Sequence, residues 1–363
     1  MKDNSGGHTG DRDSKTATTF TDAPDATGGH SFDSTESSEF SGTEALVKLR
    51  NVEKYYPIHS GILKRHTSDV KAVDGVSFDI WQGETFGLVG ESGCGKSTLG
   101  KTVLHLLEPT GGEVIFNGIN LASLSGAKLR ERRRNIQMIF QDPASSLNPR
   151  MSVEQLIEEP MTSLTEWPKE RRKKRVRELI QEVGLSIDHL PRRPHEFSGG
   201  QQQRVAIARA LSVNPQFIVA DEPTSALDVS VQAKILNLLK DLQAEYDLTF
   251  LFISHDLSVI RNFCDRVAVM YLGEIAEVAP TEVLFNRPKH PYTKALLSSV
   301  PTMDGLQEDR IQLEGDVPSP ENPPSGCRYH TRCQEYIGPV CEDESPELKL
   351  VDAAQVCACH HYE

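Results

Sequence analysis

The spacing of apolar and polar residues changes sharply near residue 45. After that point, apolar runs of strand length alternate with segments of helical periodicity; "QFIVAD" at 216–221 is typical of the former and "VQAKILNLLKDLQAEY" at 231–246 of the latter. Strands that alternate with helices predict an α/β core around a largely parallel sheet. The stretch from about 142 to 212 is mostly helical in pattern, and we expect a helical subdomain there.

Both ends of the chain differ from this middle part. Residues 1–44 are rich in Ser, Thr, Gly and Asp, and such a composition buries too little apolar surface to fold, so we expect a disordered acidic tail. After residue 301 the chain becomes rich in Pro, Cys and acidic residues, and we place a domain boundary there, with 301–363 as a C-terminal extension.

Charge and hydropathy narrow the classes of function. The net charge is −13, and its excess lies at the two acidic ends. An acidic chain gains no electrostatic affinity for a nucleic acid backbone, so we expect no nucleic acid partner. No apolar run approaches the ~20 residues that span a bilayer, and the N-terminus lacks the apolar core of a secretory signal. We therefore expect a cytoplasmic protein that reaches a membrane only through a partner.

A phosphate-binding loop is the clearest motif. "GESGCGKST" at 90–98 fits G-x-x-x-x-G-K-[ST] and lies between a predicted strand and a predicted helix. Its glycines let backbone N–H groups surround phosphate oxygens, Lys96 neutralises the β and γ phosphates, and Ser97 holds Mg²⁺. The candidate nucleotide-binding residues are Gly90, Glu91, Ser92, Gly93, Cys94, Gly95, Lys96, Ser97 and Thr98.

Cys94 invites a role as a nucleophile. Its position in the motif accepts any residue, however, which favours a passive role.

Two carboxylates follow an apolar strand in "FIVADEP" at 217–223. Asp221, at the end of the strand, can reach Mg²⁺ through water. Glu222 can polarise the water that attacks the γ-phosphate. A surface acidic pair at a turn is the alternative, but an apolar strand leading directly into the pair argues against it.

A second phosphate-reading element follows a hundred residues after the loop. "FSGGQQQR" at 197–204 places a serine and two glycines at the start of a helical segment, where free N–H groups and the helix dipole favour anions. The candidate contacts are Ser198, Gly199, Gly200 and Gln201.

Together, the loop, "FSGGQ" and "DEPTSALD" resemble the ATP-binding subunit of an ABC transporter, over about residues 45–363. The resemblance implies the P-loop ABC ATPase fold with a helical subdomain, with 45–300 as the ATP-binding domain. It also implies that the serine and glycines cap the γ-phosphate bound by a second subunit, so that two ATP molecules lie between two head-to-tail subunits.

The same resemblance assigns further residues. Gln141 matches the glutamine that contacts Mg²⁺ and the attacking water, and His255 the histidine that steadies that water. Asp228 matches the loop that crosses the dimer interface. Tyr56 looks like the aromatic that stacks on adenine, with Tyr55 as the alternative.

Several stretches resemble the oligopeptide and dipeptide importers more specifically: "NIQMIFQDPASSLNPRMSV", "HPYTKALLSSVP" and the cysteine-rich C-terminus. Membership of that group implies a second, non-identical ATPase subunit, two membrane permease subunits, an extracytoplasmic peptide-binding protein and a peripheral location on the cytoplasmic face of the cell membrane. Nickel or glutathione import is an alternative within transport. A soluble ABC ATPase acting on DNA or ribosomes is an alternative of another class, disfavoured because no long heptad region or second motif set is present. Gln202 departs from the arginine usual in these importers.

The C-terminal cysteines raise a separate question. Five of the seven cysteines lie after residue 326, and a cytoplasmic chain rarely uses them as disulfides. Four thiolates could hold an iron–sulfur cluster or Zn²⁺, or reduced cysteines could pack a small extension. Some peptide-importer ATPases carry a [4Fe–4S] cluster on a similar pattern, which implies Cys327, Cys333, Cys341 and Cys359 as ligands and leaves Cys357 over. A redox sensor that tunes transport is a further interpretation.

The basic run "KERRKKRVR" at 169–177 lies in the helical region beside acidic residues. We interpret it as the solvated face of an amphipathic helix, with a face near anionic lipid as the alternative.

Overall fold

The computed structural model describes residues 45–60, 65–299 and 315–363. The predicted tail at 1–44 lies outside the described residues. The strands, in chain order, are β1 Ala45–Ser60, β2 Arg65–Trp81, β3 Thr85–Val89, β4 Gly111–Phe116, β5 Ile119–Asn120, β6 Ile136–Ile139, β7 Phe217–Asp221, β8 Thr249–Ile253, β9 Arg266–Tyr271, β10 Glu274–Pro280, β11 Lys349–Asp352 and β12 Gln355–Cys357. The helices are α1 Lys96–Val103, α2 Gly126–Arg133, α3 Pro143–Ser146, α4 Val153–Leu164, α5 Lys169–Glu182, α6 Gly199–Leu211, α7 Val229–Tyr246, α8 Leu257–Phe263, α9 Thr281–Asn286, α10 Pro291–Ser298 and α11 Val340–Asp343.

The main sheet has eight strands in the order β11-β12-β10-β9-β3-β8-β7-β6. Its β9-β3-β8-β7-β6 part is parallel, whereas β10, β11 and β12 pair antiparallel. The prediction of an α/β core with a parallel sheet is therefore confirmed, with an antiparallel edge that the pattern did not indicate.

Both faces of the parallel part are buried, which explains its continuous apolar runs. In β7, Phe217 and Val219 join one core cluster, while Ile218 and Ala220 join the other. Alternate side chains thus point to opposite faces of the sheet, and both faces are covered.

A second, antiparallel sheet covers one of these faces, with the strand order β2-β1-β4-β5. β1 begins at Ala45, where the sequence pattern changes. It pairs antiparallel with β2, and Ala45 lies opposite Trp81, the last residue of β2. Leu49 and Phe78 from this sheet share a core with Phe86 of β3, and the rings of Phe78 and Phe86 stack 4.7 Å apart.

Helices α3 to α6 lie between Pro143 and Leu211, in the part of the chain for which the sequence predicts a helical subdomain. Helix α4 begins with a capping box, in which Ser152 and Gln155 satisfy each other's backbone N–H groups. The basic run forms the first part of α5, which buries Val176, Leu179 and Ile180, whereas its charged residues are exposed or partly exposed. The interpretation as an amphipathic helix is therefore consistent with the structure.

The C-terminal extension continues the main sheet. β12 pairs with β10, and β11 pairs with β12 at the edge. Glu277 of β10 is fully buried, and its carboxylate accepts hydrogen bonds from the backbone N–H groups of Lys289 and His290 at 2.9 Å and from Gln355 Nε2 at 2.6 Å. A buried carboxylate needs such donors, so this contact anchors the extension.

The core of the helical region allows a matched test of packing. Ile157 in α4 is 0% exposed, whereas Ile187 is 42% exposed. We expect Ile157→Ala to lower the free energy of unfolding by about 2–5 kcal/mol because it leaves a cavity, and Ile187→Ala to change it by less than about 0.5 kcal/mol. Urea unfolding measures both; equal losses would contradict this account of the core.

Candidate functional site

The candidate residues meet where parallel strands end. Gly90 follows β3, Gln141 follows β6, Asp221 ends β7 and His255 follows β8. Because these strands are parallel neighbours, their carboxyl ends lie along one edge of the sheet, which is the usual ligand site of such folds. Segments far apart in sequence therefore meet at one place.

The phosphate loop is folded tightly between β3 and α1. Gly90 has φ 152° and Gly95 has φ 110°. A Cβ at Gly90 would lie 2.1 Å from the carbonyl oxygen of Met270, and one at Gly95 would lie 2.0 Å from that of Ala72. Both positions require glycine, since neither a side chain nor an ordinary backbone conformation fits.

Lys96 makes hydrogen bonds across the loop. Its Nζ donates hydrogen bonds to the carbonyl oxygens of Gly90 at 2.8 Å and Glu91 at 2.9 Å. The ammonium group therefore lies over the loop, where phosphates would bind. Burial raises the pKa of the neighbouring Cys94 thiol, which keeps it protonated and favours the passive role.

Ser97 and Asp221 form an oxygen-rich pair beside the loop. The Ser97 hydroxyl donates to Asp221 Oδ1 at 2.9 Å. Burial raises the pKa of Asp221, and the hydrogen bond from Ser97 opposes that rise. A hydroxyl and a carboxylate are the hard oxygen ligands that Mg²⁺ prefers, so this donor set fits the ion.

The structure brings together the predicted catalytic residues Glu222, Gln141 and His255. Gln141 Nε2 donates to Glu222 Oε2 at 2.8 Å, and His255 Nδ1 lies 3.1 Å from Glu222 Oε1. Glu222 has φ 46°, an unusual conformation for a residue with a side chain, and its N–H donates to the carbonyl oxygen of Ile253. Such local strain is typical of functional sites.

The adjacent tyrosines of β1 differ in their surroundings. Tyr55 donates its hydroxyl proton to Asp74. Tyr56 is 37% exposed, with Lys54 Nζ 5.3 Å from its ring centroid. The exposed ring leaves a face for adenine, which favours Tyr56 over Tyr55 for stacking.

The second phosphate-reading element lies at the start of α6. Ser198 is the N-cap, and its N–H donates to Gln201 Oε1 at 3.1 Å. Ser198 and Gly199 are exposed, and a Cβ at Gly200 would lie 2.5 Å from Val231 Cγ1. Among the hydrogen bonds of the described residues, none joins 198–201 to 90–98. This helix N-terminus therefore faces solvent rather than its own loop.

Asp228 begins α7. Its carboxylate accepts a hydrogen bond from the N–H of Val231 at 3.1 Å, and this bond, with that from Ser230, lowers the pKa of Asp228. Val229 beside it is 82% exposed. This exposed corner is suited to contact with another chain.

Gln202 lies away from the loop. Its side chain donates to the carbonyl oxygens of Pro194 at 2.9 Å and Phe197 at 3.2 Å. Gln202, which stands where these importers usually have arginine, thus stabilises the turn before α6.

Four cysteines of the extension line one small pocket, namely Cys327, Cys333, Cys341 and Cys359. Burial raises the pKa of Cys327 to about 12 and that of Cys333 to about 11, and the neighbouring cysteines contribute to both rises. Within the ranges that the structure describes, no group of three or more His, Cys, Asp or Glu side chains has metal-binding geometry. Cys357 lies on β12 instead, so the pocket holds the four cysteines that the resemblance implied.

Sequence reasoning missed the residues that attach the extension to the loop. Arg332 contacts Glu91, and the Tyr292 hydroxyl accepts a hydrogen bond from the Glu91 N–H. Arg328 contacts Asp74. The sequence carries a weak signal for them, since two arginines in an acidic extension lie between cysteines.

Comparisons with known proteins agree with this geometry. The family model described as "ABC transporter" matches residues 73–225, and the model described as "Oligopeptide/dipeptide transporter, C-terminal region" matches residues 276–341. In the part of the chain that the structure describes, no helix is both long and apolar enough to cross a bilayer.

Curated relatives match over most of the chain. The oligopeptide transport ATP-binding protein AppF of Bacillus subtilis is 52% identical over 88% of this chain and 98% of its own length. The putative oligopeptide transport ATP-binding protein YkfD of the same organism is 56% identical over 81% of this chain and 90% of its own length.

Solved structures give the same result for the fold. The dimeric, post-hydrolysis structure of the ATP-binding cassette MJ0796 with ADP and Pi aligns with a TM-score of 0.58 and 36% identity, over 65% of this chain and 98% of that one. Given the phosphate loop, the converging strand ends and these matches, the chain belongs to the ABC transporter ATP-binding proteins, in the group that carries the oligopeptide/dipeptide transporter C-terminal region.

Proposed function

We propose that this protein hydrolyses ATP to energise the import of di- and oligopeptides through an ABC transporter. The observation that carries the proposal is the match of residues 276–341 to the C-terminal region of oligopeptide/dipeptide transporters. The curated relatives named for oligopeptide transport support it. The substrate itself contacts other subunits in such systems, so the support for peptides as the substrate is the membership of this chain in that group.

For hydrolysis, Lys96 and the backbone N–H groups of the loop bind the phosphates, and Tyr56 stacks on the adenine. Glu222 accepts the proton of the attacking water, and its carboxylate is oriented by Gln141 and His255, which lie 2.8 and 3.1 Å from its two oxygens. Ser97, with Asp221 and Gln141 nearby, would hold Mg²⁺, and the ion would supply positive charge that neutralises the phosphates.

The exposed N-terminus of α6 supports a composite site. Gly199 and Gly200 lie in the first turn of α6, whose backbone N–H groups have no intrahelical acceptor, and Ser198 is exposed beside them, so these residues can cap the γ-phosphate bound by a second ATPase subunit. Asp228 lies at the exposed start of α7, where it would meet that subunit. ATP then favours the closed pair and hydrolysis releases it, which converts chemistry into motion.

Further partners follow from the same proposal. The second ATPase subunit is non-identical, two permease subunits lie in the membrane, and a peptide-binding protein lies outside it. The protein itself is then peripheral, on the cytoplasmic face of the cell membrane. Apolar and aromatic residues between the helical region and β6, among them Met138, Phe140 and Leu164, line a groove of about 510 Å³ that supports contact with a permease.

The cysteine pocket supports a [4Fe–4S] cluster as a second cofactor. Cys327, Cys333, Cys341 and Cys359 line one pocket, and four thiolates are the usual ligand set of a cubane cluster; their arrangement in this structure does not have metal-binding geometry. Burial raises the pKa of Cys327 and Cys333 and so disfavours their thiolates. Bound iron would stabilise these thiolates and offset that effect of burial.

Glu222→Gln tests the catalytic assignment. We expect ATP turnover by the assembled transporter to fall at least ~100-fold because the general base is lost, while ATP binding persists and the closed pair accumulates. The control is Glu245→Gln, the same change at an exposed position of α7. Normal turnover by Glu222→Gln in a steady-state phosphate-release assay would refute the assigned role.

Uptake of a labelled peptide mixture tests the substrate. In cells that lack this protein, we expect wild type to restore uptake and Glu222→Gln to leave it absent, because import depends on hydrolysis. Unchanged uptake in the deletion cells, with loss of nickel or glutathione uptake instead, would replace peptide import by one of those cargoes.

Iron and sulfide analysis of anaerobically purified protein tests the cluster. We expect about four iron and four sulfide per chain, lost in a variant with Cys327 and Cys333 both changed to Ser. Cys357→Ser is the matched control, since Cys357 lies outside the pocket. A colourless, metal-free and stable wild-type protein would end the idea.

A further inference from the structure

The C-terminal extension contacts the phosphate loop through a buried arginine. The Arg332 side chain is 4% exposed. Its Nη1 donates to Glu91 Oε2 at 2.8 Å and its Nη2 to Glu91 Oε1 at 3.2 Å. This two-pronged geometry is the strong form of an arginine–carboxylate pair. A residue 241 positions along the chain thus holds the second residue of the loop.

The backbone of Glu91 is held as well. Its N–H donates to the Tyr292 hydroxyl at 2.9 Å, and Tyr292 is fully buried in α10. The Tyr292 ring lies 4.7 Å from that of Tyr271 and 5.3 Å from that of Tyr329 in the extension. Tyr271 also accepts a hydrogen bond from Arg332. Main chain and side chain of Glu91 are therefore fixed by one packed cluster.

A second arginine of the extension contacts Asp74, the hydrogen-bond partner of Tyr55. Arg328 is buried and donates to Asp74 and to the carbonyl oxygen of Leu272, and its Nε lies 2.8 Å from Glu274 Oε1. Asp74 also accepts the hydrogen bond from Tyr55, the neighbour of Tyr56. Arg328 is thereby linked to the strand that presents the adenine-stacking ring.

Charge explains why Glu91 needs a partner. A carboxylate at the second position of a phosphate loop repels the phosphates that bind to the loop. Arg332 cancels that charge in a buried setting, where solvent screens little. Removal of the arginine would leave the carboxylate uncompensated next to the phosphate site.

We propose that residues 327–333, here named the arginine segment, position the ATP site from outside the ATP-binding motifs. Arg332 neutralises and orients Glu91 in the phosphate loop, and Arg328 steadies the Asp74–Tyr55 pair beside Tyr56. Both are positioning residues. The inference deepens the proposed function and rests on ATP binding at 90–98.

The test measures ATP affinity by calorimetry for a short set of variants. Arg332→Met should weaken ATP binding at least ~10-fold. The double variant Arg332→Met/Glu91→Gln should recover most of that loss, because the repelling charge is gone. Arg328→Met should weaken binding too, but Glu91→Gln should not rescue it. Arg287→Gln breaks an exposed 3.9 Å pair with Asp352 in the extension and should stay within ~2-fold of wild type.

The outcomes separate this inference from the proposed function. If wild type binds no ATP, or Lys96→Ala binds it equally well, the proposed function fails. If Lys96→Ala loses ATP but Arg332→Met binds like wild type, only the role of Arg332 is overturned. A double variant no better than Arg332→Met would make the pair purely structural and overturn the proposal.

Folding is followed by thermal unfolding of each variant. If Arg332→Met does not fold, Arg332→Lys and the double variant decide: we expect both to fold, with Arg332→Lys intermediate in affinity because it keeps the charge but not the two-pronged geometry. Failure of the double variant to fold would also overturn the proposal.

Discussion

The conformation of the phosphate loop is the constraint on which the rest of the structure depends. Its backbone runs so close to Met270 in β9 and Ala72 in β2 that a Cβ at Gly90 or Gly95 would overlap a carbonyl oxygen. The loop is therefore fixed by packing against both sheets before any nucleotide arrives. Such preorganisation lowers the ordering cost of binding, because the N–H groups need not be arranged by the ligand.

The parallel strands bring the three candidate catalytic side chains together. Gln141, Glu222 and His255 come from segments separated by about 80 and 30 residues, and their contacts follow from the shared direction of β6, β7 and β8. Glu222 also adopts a positive φ, held by the bond from its N–H to Ile253. The sheet thus places the carboxylate of Glu222, whose backbone is strained, between Gln141 and His255.

Much of this arrangement could be predicted from the sequence, because the signals are local. The loop motif, the strand ending in Asp221 and Glu222, and the serine before α6 each combine residue type with a short spacing. The strand–helix alternation likewise indicated the α/β class. These predictions depend on neighbours in the chain, so a single sequence contains them.

The remainder depends on contacts between distant residues. Nothing near Glu277 indicates that Gln355 completes its hydrogen bonds, and nothing near Glu91 indicates an arginine from the extension. The convergence of four cysteines was implied by resemblance, because their irregular spacing alone does not specify a pocket. Long-range pairing of buried polar groups has no short sequence pattern, since each partner is ordinary in its own segment.

The arginine segment also bears on how a shared ATP site is built. If the γ-phosphate is capped by another subunit, each chain must hold its own loop in a binding-competent form while that subunit is absent. We infer that Arg332 and Tyr292 do so through their hydrogen bonds with Glu91, which do not involve the exposed N-terminus of α6. Cys327 and Cys333 are the two ends of the arginine segment, and both line the cysteine pocket. A well-ordered pocket would therefore also keep Arg328 and Arg332 in place beside the phosphate loop. The extension is therefore part of the ATP site's architecture, even though none of its residues belongs to an ATP-binding motif.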